Sequence, residues 1–188
     1  MKPSILALLL LSACGTSSSG PPTASSTTAG SVSAAPVTAS APRLVPSRSI
    51  GPISLGMTRA EVAKLGLPVL SHPSGQMGDD VRLVGPYHVV FRADKVDSIE
   101  LEVSDSPSGV VIGARTFSPS ATAQEMVGAL TGCAAEQPGE GGSTVACEGR
   151  RTLIKRGASC VTRAPNGACL QWDPQRPGVT VQVLASPL

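Results

Sequence analysis

Five cysteines and two histidines are the residues of this 188-residue chain best equipped for chemistry. Cys14 stands alone at the end of a short apolar leader, whereas Cys133, Cys147, Cys160 and Cys169 share the last third of the chain. A thiol can be acylated, oxidised or bound to zinc. The four downstream cysteines contain no Cys-x-x-Cys pair, so disulfides are preferred to a metal site. Four cysteines allow three connectivities. The preferred one joins Cys133 to Cys147 across the soft loop Ala134 to Ser143, and Cys160 to Cys169 around Pro165-Asn166-Gly167, where Asn-Gly favours a tight turn. His72 precedes Pro73 in a loop, and His88 falls on the mixed face of a strand. Asp79-Asp80 reads as a loop pair, and Glu100 with Glu102 as a solvated strand face. None of these acids has a recognisable acid, base or metal-ligand partner in sequence. The chain also lacks a Gly-x-Ser-x-Gly elbow, a phosphate loop and a dinucleotide fingerprint. No catalytic, cofactor-binding or metal-binding residue is therefore assigned, and the expectation is a protein that is not an enzyme.

The elements around these residues begin with the leader. Lys2 supplies a positive start, Ile5 to Leu11 an apolar run, and small residues precede Cys14, as in a secretory signal. That run is too short for a bilayer, which needs about 20 apolar residues, and no later segment approaches that length. Leu11-Ser12-Ala13-Cys14 resembles a bacterial lipobox, which implies a signal peptide over 1–13 and acylation of Cys14 as the first mature residue. Two or three acyl chains, at about 0.8 kcal/mol per buried methylene, would hold the chain durably in a membrane. Gly15 stands where an aspartate would resemble an inner-membrane retention signal. The expected location is the cell envelope, and the outer membrane if the organism has two.

Gly15 to Pro42 is almost wholly Ser, Thr, Ala, Gly and Pro, and such a tract cannot bury enough apolar surface to offset its ordering entropy. With Cys14 it forms an expected disordered tether over 14–47, whose coil reach is about 30 Å. The folded domain is expected at 48–188. Its aromatics are few, Tyr87, Phe91, Phe117 and Trp172, so its core must come from Val, Leu, Ile and Ala. A core of that kind in a small domain benefits from covalent staples. Net charge is +2 with both signs interspersed, which argues against a nucleic-acid partner. Arg150, Arg151, Lys155 and Arg156 flank Thr152-Leu153-Ile154 and read as the charged ends of a solvated edge strand.

Within the domain, Ile50 to Leu55 reads as a strand and turn, and Thr58 with Glu61 as a capping box opening a helix that Gly66 and Pro68 end. Strands follow at Val81 to Val84, Tyr87 to Arg92 and Ser98 to Val103, with alternating apolar positions. Val110 to Phe117 then reads as one strand, and Thr122 with Glu125 as a second capping box, with Gly132 as the stop. Strands at Thr144 to Cys147, Thr152 to Lys155, Ser159 to Arg163, Cys169 to Trp172 and Val179 to Leu184 complete the chain. The predicted class is α+β, two short helices on antiparallel sheet, with a tandem helix-plus-sheet repeat over 49–104 and 110–185 as one reading of the order.

Gly56-Met57-Thr58-Arg59-Ala60-Glu61-Val62, with Leu65-Gly66 and strands after it, resembles the signature of small outer-membrane assembly lipoproteins of the SmpA/BamE type. It is also similar to the modules of beta-lactamase inhibitor proteins, which are built from two such repeats. The second half departs from the motif: Met57 has no counterpart, the helix gains a residue, and Cys133 follows Gly132. A two-repeat chain fits the inhibitor-like double module better than the single assembly module. Tether, small sheet and the lack of a catalytic set together lead to the expectation of a lipid-anchored, non-catalytic protein-binding or assembly module, with another envelope or secreted protein as partner. His88, Arg92 and Trp172 are the candidate contacts. An inhibitor of a secreted or periplasmic enzyme is the alternative, and a small-ligand-binding or enzymatic envelope protein the second alternative. On detergent phase partition of cell extracts, the wild-type chain is expected in the detergent phase and Cys14→Ser in the aqueous phase; a wild-type chain that stays aqueous would remove the lipid anchor.

Overall fold

Alternating apolar residues dictate most of the architecture, because a period of two places one face of each strand against a core. The computed structural model describes residues 40–71, 80–139, 142–163 and 169–188. The leader, Cys14, His72, Asp79 and the Pro165-Asn166-Gly167 turn lie outside the described residues. The chain runs β1 (Arg43–Val45), β2 (Ser49–Ile50), β3 (Ile53–Ser54), α1 (Arg59–Ala63), β4 (Val69–Ser71), β5 (Asp80–Val84), β6 (Tyr87–Arg92) and β7 (Lys95–Glu102). After a single 3₁₀ turn (Val103–Asp105) come β8 (Val110–Ile112), β9 (Arg115–Phe117), α2 (Ala123–Val127), β10 (Gln137–Gly139), β11 (Gly142–Cys147), β12 (Thr152–Arg163) and β13 (Cys169–Leu184). The fold is strand-dominated, with two short helices. No helix among the described residues is long and apolar enough to cross a membrane.

The strands form two sheets, a small one in the order β3-β2-β1-β8-β9 and a large one in the order β10-β11-β12-β13-β7-β6-β5-β4. The large sheet is antiparallel throughout, and two meanders of four strands meet where β13 pairs with β7. Leu44, Ile50, Val110, Ile112 and Phe117 of the small sheet share one core with Val84, Val89, Ile99, Leu101, Ile154, Val181 and Val183 of the large one. Each helix contributes one fully or nearly fully buried side chain, Val62 from α1 and Met126 from α2.

Several expectations need correction. The tether does not extend to residue 47, because Arg43–Val45 is a strand, paired in parallel with β8, that buries Leu44. Val110 to Phe117 is not one strand but a hairpin, turned at Gly113, whose φ of 60° is the left-handed conformation a two-residue turn requires. The second helix stops at Gly128, four residues before Gly132. Conversely, β12 and β13 are each continuous where two strands apiece were expected. β13 continues through Pro177 because it pairs with β7 only over Thr180–Leu184, leaving its other side unpaired at the proline, although its register with β12 jumps there from Pro177 opposite Ala158 to Asp173 opposite Ser159. β12 is also no edge strand, since β11 and β13 flank it. Asp80 is not in a loop; it begins β5, where it accepts from Arg59 and lies 2.7 Å from Arg82 Nε.

Both capping boxes form as the sequence predicts. The Thr58 backbone N–H donates to Glu61 at 2.7 Å and the Thr122 N–H to Glu125 at 2.7 Å, while each threonine hydroxyl accepts from the N–H of its glutamate. The backbone N–H of the threonine, and next its hydroxyl, hold the Glu61 and Glu125 carboxyls below their ordinary value of 4.5. A carboxyl whose folded pKa is depressed stabilises the fold fully above its unfolded pKa and loses that contribution as pH falls through the folded value. The double variant Glu61→Gln, Glu125→Gln is therefore expected to melt below the wild type at pH above 4.5. The gap in melting temperature should close on acidification, and a gap that stays constant to about pH 2.5 would contradict the assignment.

Candidate functional site: the uncovered face of the large sheet

The helices and the small sheet cover one face of the large sheet, and the residues between the core positions line the other. Along one row of cross-strand neighbours lie Leu83, His88, Glu100, Gln182, Leu153 and Ala146, contributed in turn by β5, β6, β7, β13, β12 and β11; Leu153 in this row and Ser98 two residues from Glu100 are nonetheless buried, at 2% and 5% exposure. The next row places Glu102 beside Thr180 and Lys155. Lys155 Nζ donates to Glu100 Oε2 at 2.8 Å across the intervening β13, with both side chains about one-third exposed. Ser104 Oγ donates to Glu102 Oε1 at 2.9 Å.

Glu102 is 8% exposed, so this carboxylate is not on the solvated strand face expected for it. β7 is a central strand of the large sheet, between β13 and β6, and Ser104 Oγ donates to the Glu102 carboxylate. The basic cluster is dispersed by the same alternation. Lys155 points to the uncovered face, and Arg156 points to the helix side. Arg151 Nε donates to the Leu184 carbonyl at 3.2 Å.

The candidate contact residues do not converge. His88 sits in the middle of the uncovered face, half-buried between Leu83 and Glu100. Arg92 lies at the end of β6 and pairs with Asp97 at 3.3 Å. Trp172 is on β13 opposite Cys160, in the part of that strand paired with β12 alone. Glu100, Lys155 and Gln182 join His88 instead, and sequence reasoning missed this grouping because it depends on the pairing of β7 with β13, about 80 residues apart in the chain.

The cysteines answer one expected pairing directly. Cys133 and Cys147 form a disulfide. It binds the turn after α2 to the end of β11, where Thr131 Oγ1 also donates to Glu148 Oε1 at 2.7 Å. Cys160 is disulfide-bonded too, and the side chain of Cys169 lies outside the described residues. Among the described residues, no group of three or more His, Cys, Asp or Glu side chains is placed to hold a metal ion.

Comparisons with protein-family models, with curated proteins and with solved structures find no match. The chemistry of the face therefore has to be argued from its own residues. A half-buried histidine, an ion pair, an amide and small polar groups lie side by side on this face. Such surfaces confer orientation and selectivity on a partner. Reversing either charge of the central pair, Glu100→Lys or Lys155→Glu, is expected to destabilise the domain by about 1 kcal/mol, and the double reversal to recover most of that loss. Urea denaturation of the four proteins checks this; additive losses in the double variant would show that the pair is not coupled.

Proposed function

We propose that the protein is a lipid-anchored, non-catalytic protein-binding or assembly module of a bacterial cell envelope, facing the outer membrane where there are two. In this reading Cys14 carries the lipid, the Ser/Thr/Ala/Pro tract is the tether, and the uncovered face of the large sheet meets another envelope or secreted protein. The observation that carries the reading is this face, where Glu100, Lys155, His88 and Gln182 share neighbouring rungs on a sheet whose opposite face is filled by core.

A second reading, an inhibitor of a secreted or periplasmic enzyme, draws on the strand order. In the order β10-β11-β12-β13-β7-β6-β5-β4, the two meanders are arranged head to head, and each follows a hairpin and a capped helix. That order favours two copies of one unit, over 49–104 and 110–185, and with it the likeness to inhibitor-type double modules and to SmpA/BamE-type assembly modules.

Photo-crosslinking in intact cells tests the proposal. A photoreactive residue at Gln182 or Thr180 is expected to give a discrete adduct with an envelope protein, and one at the exposed Ala63 of α1 is not. No adduct from the sheet face, in cells where known envelope complexes are trapped, would overturn it. Inhibition of a beta-lactamase or protease by the purified chain would move the assignment to the second reading.

A further inference from the structure

The two helices meet the large sheet in different ways, and the difference can be followed position by position. Thr58 and Thr122 are the matching N-caps, so Met57 corresponds to Ala121 and Arg59 to Ala123. Tyr87 and Thr152 occupy the first rungs of β6 and β12, opposite Val84 and Cys147, so Phe91 corresponds to Arg156 and Asp80 to Ser143. Around α1 the space is full. The Arg59 guanidinium lies 4.8 Å over the Phe91 ring, with Asp80 and Asp94 paired to it. Met57 packs against the core, and its carbonyl accepts from the Val96 N–H at 2.8 Å.

Around α2 three of these four groups are smaller, and the fourth exchanges a neutral ring for a cation. Alanines replace Met57 and Arg59, a serine replaces Asp80, and the ring becomes Arg156. The β6–β7 ladder closes at Ala93-Asp94 beneath α1, whereas β12 and β13 run on past Gly157 and Gly178 as a two-stranded ribbon. The result is a groove of about 1000 Å³ between α2 and β11–β13, walled by Ala121, Ala123, Val127, Val145 and Val179, with Arg156 lining it. Among the described residues Arg156 makes no ion pair. Glu136 also lines the groove, and it accepts from Ser143 Oγ.

The filled site thus contains a guanidinium, an aromatic ring against it and carboxylates around it, whereas the groove holds the Arg156 guanidinium and the Glu136 carboxylate but no ring. An aromatic ring would stack on Arg156 and the small apolar walls, and a neighbouring carboxylate would pair with its charge. We propose that this groove binds a segment of a partner protein that inserts an aromatic side chain flanked by an acidic residue. This rests on the reading of the domain as a protein-binding module and adds a second contact surface to it, on the helix side of the sheet.

Methyl-resolved NMR titration of the full chain with the synthetic peptide Gly-Ser-Asp-Phe-Ser-Gly tests the proposal. The peptide is expected to shift the Ala121, Ala123 and Val127 methyls, and replacement of its Phe by Ala should abolish those shifts. Arg156→Gln should weaken the Asp-Phe peptide about tenfold and the corresponding Asn-Phe peptide, which loses only the ring stacking, by less, and Arg156→Lys should recover part of the loss. Ala121→Met, which restores the bulk present at Met57, should exclude the peptide; if that variant does not fold, the Arg156 series and the peptide series decide alone. Equal binding of the Phe and Ala peptides, or an unchanged affinity in Arg156→Gln, would overturn the proposal. Glu100→Lys should leave peptide affinity unaltered, so a failed groove and a failed sheet-face interface are told apart.

Discussion

Five rungs of antiparallel pairing, from Thr180 opposite Glu102 to Leu184 opposite Ser98, hold the large sheet together. On the core side these rungs bring together Ile99, Leu101, Val181 and Val183, all 0% exposed. On the other side they bring Glu100 within reach of Lys155. Without this ladder each four-stranded meander would have another long open edge, and the row carrying His88, Glu100, Gln182 and Leu153 would not exist. The outer edges that remain are blunted, β10 and β4 by being three residues long and β10 also by Pro138. The sheet thus concentrates its apolar pairing at the centre, and its long unpaired margins are those of the β12–β13 ribbon.

The scarcity of aromatic residues has unequal consequences in the two halves. Tyr87 and Phe91 both lie on β6 and fill the space near α1, where Tyr87 is so close to Gly51 that a Cβ there would come within 2.2 Å of its hydroxyl. No aromatic residue on β11 or on the first half of β12 does the same near α2. A covalent link is found on that side, where Cys147 at the end of β11 joins the turn after α2 through Cys133. Closing a loop of 14 residues removes unfolded-chain entropy equivalent to about 3 kcal/mol in the loop-closure account. That amount is comparable to the burial of one large apolar side chain. The staple therefore offsets a less filled helix–sheet interface, and a groove can persist beside it.

The local features of this fold were legible in the sequence, and its neighbour relations were not. Thr58/Glu61 and Thr122/Glu125 announced their helices because a capping box satisfies its donors within four residues. Tyr87 to Arg92 announced a strand because a period of two needs no partner to be visible. The Cys133–Cys147 pair was legible for a similar reason, as a short loop between two cysteines. By contrast, β1 is three residues at the end of a proline-rich tract, and only its pairing with Val111 and Ile112, about 70 residues on, identifies it. The continuity of β13 was not legible because sequence does not reveal that its proline-bearing part has an unpaired side. For the site, alternation placed His88 and Glu100 on faces but could not place β13 between β7 and β12.

Lys155 and Arg156 illustrate how much that missing information decides. Adjacent cations in a strand must point to opposite faces, so a cluster that looks like one basic patch in sequence is divided by the sheet. Lys155 is neutralised by Glu100 on the uncovered face. Arg156 faces α2 among alanines and valines, where the other half of the chain places a ring. A substitution at one therefore acts on a different surface from a substitution at the other, although the residues are covalent neighbours. The same division explains why the domain can offer two chemically distinct surfaces while burying a single core: each strand of the large sheet contributes one residue in two to each side, and the helix over the second half, equal in length to the first, carries side chains too small to close the space beneath it.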